Sequence, residues 1–316
     1  QLSGHAAIVW PKESRHHYEG ALRYVRITPQ RVVRRKACMP YSWQAPDMSP
    51  FLPVATWEER SIAAPTGKAG KTHYTVADII EEAGDIKSFY LKPETGTVPT
   101  YEPGQHLPIA VTIDGKEIRR TYTLSAAPGR DMLRITVKRD PHGAVSQHLH
   151  THVSVGDTLK ACRPGGSFTL QDRGDKPVVL ISAGVGITPM IAMAETLLAR
   201  QRHKPDIHFI HGSRTPSDAP FKADMRRWRL DHSGFNLSLL FSKAAATDIA
   251  GMHAATRGKV TPAWLSGQDL PLDGDFYLCG PQGFMQAVYD WLAESGVMDP
   301  HIHFEAFGPS SLKREN

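Results

Sequence analysis

Four short segments of this 316-residue chain carry residue types whose spacing suits chemistry on a phosphorylated, flat-ringed ligand. Ser182-Ala-Gly-Val-Gly-Ile-Thr-Pro-Met190 follows an apolar run and opens a helical pattern. At such a turn the free N–H groups and the helix dipole attract an anion. Gly184 and Gly186 would let the backbone approach a pyrophosphate closely, Thr188 would cap the helix, and Pro189 suits its first turn. The spacing is G-x-G-x-x-P rather than G-x-G-x-x-G, so a tight strand–helix turn with no ligand is the competing reading. Arg120-Thr-Tyr-Thr123 offers a guanidinium for phosphate, an aromatic for a flat ring and a hydroxyl for a ring nitrogen; alone, it equally describes a solvated Arg beside a half-buried Tyr. Gly143-Ala-Val-Ser-Gln-His148 reads as a turn into a short helix capped near Ser146, either a second anion site or a plain capped helix. Phe276-Tyr-Leu-Cys-Gly-Pro-Gln-Gly283 ends a strand at a glycine turn, with Cys279 either facing a ligand or serving as a small buried apolar residue.

Other chemistries lack their residues. Of sixteen histidines, His148, His150 and His152 cluster, as do His301 and His303, but no neighbouring carboxylate or cysteine completes a metal-ligand pattern, so no metal is expected. No G-x-S-x-G or H-E-x-x-H segment supports a hydrolase. Three scattered cysteines, Cys38, Cys162 and Cys279, are too few for a disulfide framework or for a four-cysteine iron–sulfur cluster within the chain.

The elements that must position these segments fall into two patterns. Between residues 72 and 172 the strand candidates are Ile86–Leu91, His106–Ile113, Arg119–Ser125, Leu133–Lys138 and Phe168–Leu170, separated by turn signals such as Asp114-Gly115; this spacing predicts an antiparallel β-barrel. From residue 173 buried strands (Val178–Ser182, Ile207–Gly212, Asn236–Phe241, Phe276–Cys279) alternate with helices near Thr188–Arg200 and Phe284–Glu294. In the first helix Ile191, Ala194 and Leu198 form one apolar stripe, and the alternation predicts an α/β doubly wound parallel sheet over 173–309.

Composition frames the rest. Hydrophobic residues make up 41% and charged residues 22%, which suits a folded chain rather than a disordered one. With no apolar run long enough for a span, a soluble, cytoplasmic protein is expected. Residues 1–36 hold eight Lys/Arg and two acids, a charge of +6, so the other 280 residues sum to −1 and the net +5 describes the head of the chain. This head reads as a solvated basic face; no aromatic-laced RNA motif or zinc finger accompanies it, and no nucleic-acid partner is expected. Residues 37–71 hold five prolines and read as a linker, and 310–316 as a tail.

The order of the motifs, closed by His303-Phe-Glu-Ala-Phe-Gly308, resembles the ferredoxin–NADP reductase superfamily, in the branch that includes the reductase module of flavohemoglobins. The resemblance covers Thr72 to Pro309 and implies an FAD-dependent NAD(P)H oxidoreductase. It would place Arg120 at the flavin phosphate, Tyr122 on the isoalloxazine and Thr123 near N5, with Gln105 of Pro103-Gly-Gln-His106 beside the ring. Gly143, Val145 and Ser146 would hold the FAD pyrophosphate, a match that favours FAD over FMN. Gly184, Gly186, Thr188 and Pro189 would form the nicotinamide-dinucleotide loop; Ser213 and Arg214 would read the adenosine ribose or its phosphate. Cys279, Gly280 and Pro281 would lie near the nicotinamide, and Glu305 and Phe307 near the flavin. Thr123, Cys279 and Glu305 are the implied catalytic positions, and none need act as a nucleophile.

The implied acceptor is a [2Fe–2S] ferredoxin-type protein or domain outside this chain, reached by NADPH or NADH through flavin. The alternative is a flavin- and nucleotide-binding module without turnover. Leu22–Val33 resembles the closing segment of pyridoxamine-phosphate-oxidase-like split barrels, which would make 1–36 a remnant of such a fold. A start at Gln1 and an end at Asn316 fit a piece of a longer protein.

Overall fold

A computed structural model describes residues 2–9, 24–32, 72–200 and 205–307. The predicted linker at 37–71 and the tail at 310–316 lie outside the described residues. Chain contacts divide the molecule into a unit at Gln1–Pro65 and a second at Thr66–Asn316. In the first, β1 (Leu2–Val9) pairs antiparallel with β2 (Tyr24–Val32), with a bulge between Ser3 and Gly4.

The second unit begins with six antiparallel strands: β3 (Thr72–Ala83), β4 (Ile86–Pro93), β5 (His106–Ile113), β6 (Lys116–Thr123), β7 (Leu133–Lys138) and β8 (Thr158–Ala161). Their order is β6-β5-β8-β3-β4-β7, and a bridge between Leu124 and Ile135 joins the two ends into a barrel. The β5–β6 hairpin follows from its turn residues. Asp114 and Gly115 both have positive φ (52° and 72°), the twist that a two-residue turn between paired strands needs. The interior is filled by Tyr74, Phe89, Leu91, Leu107, Ile109, Leu133 and Ile135. Helix α1 (Ala144–His152) packs against β6 and adds Val145 and Leu149 to this core.

Next come β9 (Val178–Ala183), α2 (Ile187–Leu198), β10 (Ile207–Ser213), α3 (Lys222–Asp231), β11 (Phe235–Phe241), β12 (Ala255–Arg257), α4 (Pro262–Leu265), β13 (Asp275–Cys279), α5 (Gln282–Glu294) and β14 (Ile302–Glu305). The strands form one parallel sheet, in the order β12-β11-β10-β9-β13-β14. Each face has its own core: Leu180, Phe209 and Tyr277 beneath α2 and α3, and Val179, Ile181 and Phe276 beneath α5. The chain winds outward from β9 to β12, then returns to the far side of β9. The reversal lies between β9 and β13, the place where such sheets bind ligands at their carboxyl ends.

Three expectations need correction. Phe168–Leu170 is not a strand: Leu170 N–H bonds to the Pro103 carbonyl (3.1 Å) outside any strand ladder, while Phe168 packs edge-on to Tyr277 in the core of the parallel-sheet domain. Helix α2 shows no single apolar stripe, because every residue from Ile187 to Glu195 is buried. The caps also differ. Gly186 is the N-cap of α2 and Gly143 that of α1, so Thr188 and Ser146 lie inside their helices, bonding back to the carbonyls of Val185 (3.1 Å) and Gly143 (3.0 Å).

Candidate functional site

Strand register sets one row of side chains across the carboxyl edge of the parallel sheet. His211 is paired with Ser182, Ser182 with Cys279, and Cys279 with Glu305. Above this row, Gly184 takes a φ of +57°, which favours glycine, as the turn leaves β9. Gly186 lies against the Cys279–Gly280 peptide, where any Cβ would collide with the Cys279 carbonyl. A Cβ on Gly280 would press on the Phe284 ring (2.9 Å) and the Ala183 nitrogen (3.2 Å). The two glycine turns thus meet only because neither has a side chain. Among the described residues no side chain caps α1 or α2; at α2 the Ile187 N–H donates to the Gly184 and Val185 carbonyls of the preceding turn.

A cavity of about 420 Å³ opens where this edge faces the barrel. Thr121, Tyr122 and Thr123 of β6 form one wall with Thr136 and Lys138 of β7 and His106 of β5. Val185 and Thr188 supply the opposite side, and Glu305, Ala306 and Phe307 the third. Glu305 places Oε1 3.6 Å from His106 Nδ1, while its Oε2 is buried with no partner among the described residues. Burial pushes the Tyr122 hydroxyl up to about 12, so it stays protonated at neutral pH.

The structure thus brings Tyr122, Thr123, Thr188, Glu305 and Phe307 to one cavity. The other expected positions lie outside its lining. Arg120 is exposed on β6 and donates to the Arg119 carbonyl (2.8 Å). Gln105 is fixed within its loop by the Glu102 N–H (3.0 Å) and the Gly166 carbonyl (3.3 Å). Val145 is buried in the barrel core, and Ser146 Oγ accepts from Asp140 N–H (3.1 Å), so anion binding at Gly143–Ser146 would fall to backbone N–H groups. Pro189 is buried in α2. Cys279 is fully buried, and burial, helped by the Glu305 charge, pushes its thiol well up, so it remains neutral. Pro281 starts the exposed turn into α5. Ser213 and Arg214 lie at the end of β10, with Arg214 3.2 Å from Asp218. Partial burial raises the Asp218 carboxyl, but the Thr215 hydroxyl, Arg214 and the Thr215 N–H together hold it below its usual value.

Sequence reasoning missed His106, Thr121, Thr136, Lys138, Val185 and Ala306 as cavity residues. His106 stood beside an expected residue, and Thr136 and Lys138 alternate on β7. Only the closed barrel shows that those positions face the site. Among the described residues no group of three His, Cys, Asp or Glu could hold a metal, and no helix is long and apolar enough to cross a membrane.

Residues 73–170 match the family described as Oxidoreductase FAD-binding domain, and residues 180–290 the one described as Oxidoreductase NAD-binding domain. The flavohem-like FAD/NAD-binding domain of nitric oxide dioxygenase from Vibrio cholerae O1 biovar El Tor shares 35% identity, with a TM-score of 0.68, over 75% of this chain and 99% of that one. This chain belongs to the ferredoxin reductase-like oxidoreductases. Within them, it is 35% identical over 247 residues to the flavohemoprotein of Bacillus cereus, covering 76% of this chain and 61% of that protein; it spans about three fifths of that relative's length. It is also similar to phthalate dioxygenase reductase, described as a modular structure for electron transfer from pyridine nucleotides to [2Fe–2S]: 28% identity, a TM-score of 0.62, and 77% and 70% of the two chains. As a ferredoxin reductase-like protein, the chain carries its FAD-binding domain in the barrel and its NAD-binding domain in the parallel sheet. Strand β14 and the Glu305–Phe307 wall lie beyond both matched segments, yet complete the cavity.

Proposed function

We propose that this chain is an electron-transfer reductase module that takes a hydride from NADPH or NADH and delivers electrons singly to a [2Fe–2S] ferredoxin-type acceptor. The supporting observation is the cavity in which the Tyr122–Thr123 strand end, the Val185–Thr188 turn and the Glu305–Phe307 segment converge. The residues fit both cofactors. The two glycine turns meet without side chains, the start of α1, which no side chain caps, suits a phosphate, and a buried Glu305 oxygen is left for a partner.

Bound FAD would supply hydride acceptance at N5 and one-electron release, chemistry that side chains lack. The chain's own residues bind and orient. Tyr122 presents a neutral aromatic face, and Thr123 a hydroxyl-bearing side chain at the cavity wall. Arg120 is the exposed cation for the flavin phosphate, with Gln105 shaping the loop beside the ring and the first-turn N–H groups after Gly143 facing the pyrophosphate. Gly184, Gly186 and Gly280 admit the nicotinamide end of the donor, and Ser213 and Arg214 read its ribose. Cys279 is a neutral spacer at the turn, and Glu305 sets the local charge. Holding two reactants in near-attack geometry is worth several kcal/mol, so orientation alone is a sufficient role for these groups.

The similarity to flavohemoproteins favours a second acceptor class, a haem protein. One experiment addresses both. The FAD-loaded protein is mixed anaerobically with NADPH or NADH, and the visible flavin absorbance is followed. Bleaching by one nucleotide, then recovery on adding an oxidised [2Fe–2S] ferredoxin, is expected. Recovery only with a haem protein would replace the acceptor, and absence of bleaching would overturn the reading.

A further inference from the structure

One buried polar network crosses between the two domains and passes through the cavity wall. Glu195 of α2 and Arg134 of β7 meet at 2.9 Å, with only 8% and 6% of their side chains exposed. The second Glu195 oxygen accepts from Ala127 N–H (2.8 Å) and from Arg130 (2.9 Å), both in the barrel. Arg134 also donates to the Ser125 carbonyl, and its guanidinium lies 5.0 Å from the centre of the Phe221 ring.

A carboxylate also crosses in the other direction. Glu82 of β3 accepts from the Phe221 N–H (3.4 Å) and from Ser88 Oγ (2.6 Å). Phe221 has a φ of +57°, a costly conformation for a bulky residue. Between these anchors, Ser88, Thr136 and Ser125 are linked at 2.8 and 2.7 Å. Each hydroxyl has one proton. Ser88 donates to Glu82, so Thr136 donates to Ser88, and Ser125 Oγ, which also lies 3.2 Å from the Arg134 carbonyl, ends the chain with one proton facing both acceptors. Its middle member, Thr136, lines the cavity.

The elements at the two ends of the pair also carry the site. Glu195 follows Thr188 by seven residues, about 10 Å along α2, and Arg134 precedes Thr136 by two residues on the same face of β7. We propose that Glu195 and Arg134 are positioning residues: with the Glu82–Ser88–Thr136–Ser125 chain they form a brace fixing the barrel wall of the cavity against the α2 wall, and so set the approach of nicotinamide to flavin. The proposal rests on the hydride-transfer reading above.

The test compares wild type, Glu195→Gln and the apolar pair Glu195→Met/Arg134→Met, all loaded with FAD. Three quantities are read: the limiting rate of anaerobic flavin reduction and its half-saturating nucleotide concentration; thermal unfolding; and amide exchange over residues 124–136, measured without nucleotide. In Glu195→Gln the limiting rate should fall about 10- to 100-fold, as expected for a displacement near 1 Å. Half-saturation should change less than about threefold, the signature of lost orientation rather than lost binding. Exchange at Ala127 should quicken.

The apolar pair should regain the melting temperature, since well-packed apolar groups can replace a buried ion pair, yet remain slow. Recovery of rate together with stability in the apolar pair would overturn the proposal, making the pair merely structural. So would a folded Glu195→Gln with wild-type rate and exchange. Should Glu195→Gln fail to fold, the apolar pair decides. A wild type that neither nucleotide bleaches refutes the functional reading itself, while exchange and melting still report whether the brace exists.

Discussion

Gly186 and Cys279 lie in backbone contact: a Cβ built on the glycine would overlap the cysteine's carbonyl and sit 2.8 Å from Gly280 N. The contact joins the turn after β9 to the turn after β13, at the point where the winding of the sheet reverses.

Gly186→Ala must therefore push backbone against backbone, with no flexible side chain to yield. We expect a loss of ~1–3 kcal/mol in denaturant unfolding, the usual cost of overpacking. Flavin should be retained, because the barrel is untouched, and nucleotide-driven bleaching should be lost. A variant as stable as wild type would mean that the turns separate easily.

Thr123→Val keeps the shape of a buried cavity residue and removes its hydroxyl. Flavin reduction should slow about tenfold, the equivalent of one hydrogen bond, with flavin content unchanged. Loss of flavin would make Thr123 an anchor for the cofactor instead.

Arg214 is engaged by Asp218 at 3.2 Å, on the exposed end of β10. If Arg214 reads a 2′-phosphate, Arg214→Ala should weaken NADPH more than NADH, and Asp218→Asn should shift preference toward NADPH, each on the order of tenfold. Titrations showing equal changes for the two nucleotides would refute the assignment.

His211 is fully buried, and desolvation pulls it down to about 4 from its ordinary 6.5 despite the contact with Ser182. The folded state keeps it neutral while the unfolded chain takes up a proton, so stability is complete above about pH 6.5 and declines as pH falls toward 4. The two values imply ~3 kcal/mol across that window. His211→Gln should flatten the wild-type slope by about that amount in urea unfolding at pH 4 to 7. His150, His208 and His303, also lowered by burial, remain in both proteins and cancel in the difference.

Much of this architecture was legible in the sequence because its signals are local. The Asp114-Gly115 turn, the apolar run at 178–182 and the glycine turns each declare their element within a few residues. Elements with weak patterns were missed. β3 buries only Tyr74 and Val76 in twelve residues, α3 buries Met225 and Trp228 among charges, and β8 and β14 have four residues each. In the site, motif residues were found, whereas His106, Thr136 and Lys138 depend on how a closed barrel turns its strands toward a second domain. The Glu195–Arg134 pair left no trace at all, since its members stand 61 residues apart and neither lies in a motif.

The two carboxylates that cross between barrel and sheet bear on how such a module could be recombined. A cut near residue 172 would strip Glu195 of Arg134, Arg130 and the Ala127 N–H, and Glu82 of the Phe221 N–H. Each half would then present groups that had been satisfied only by the other. The smallest piece that can be grafted onto a new acceptor is therefore both domains together, inherited as one cassette.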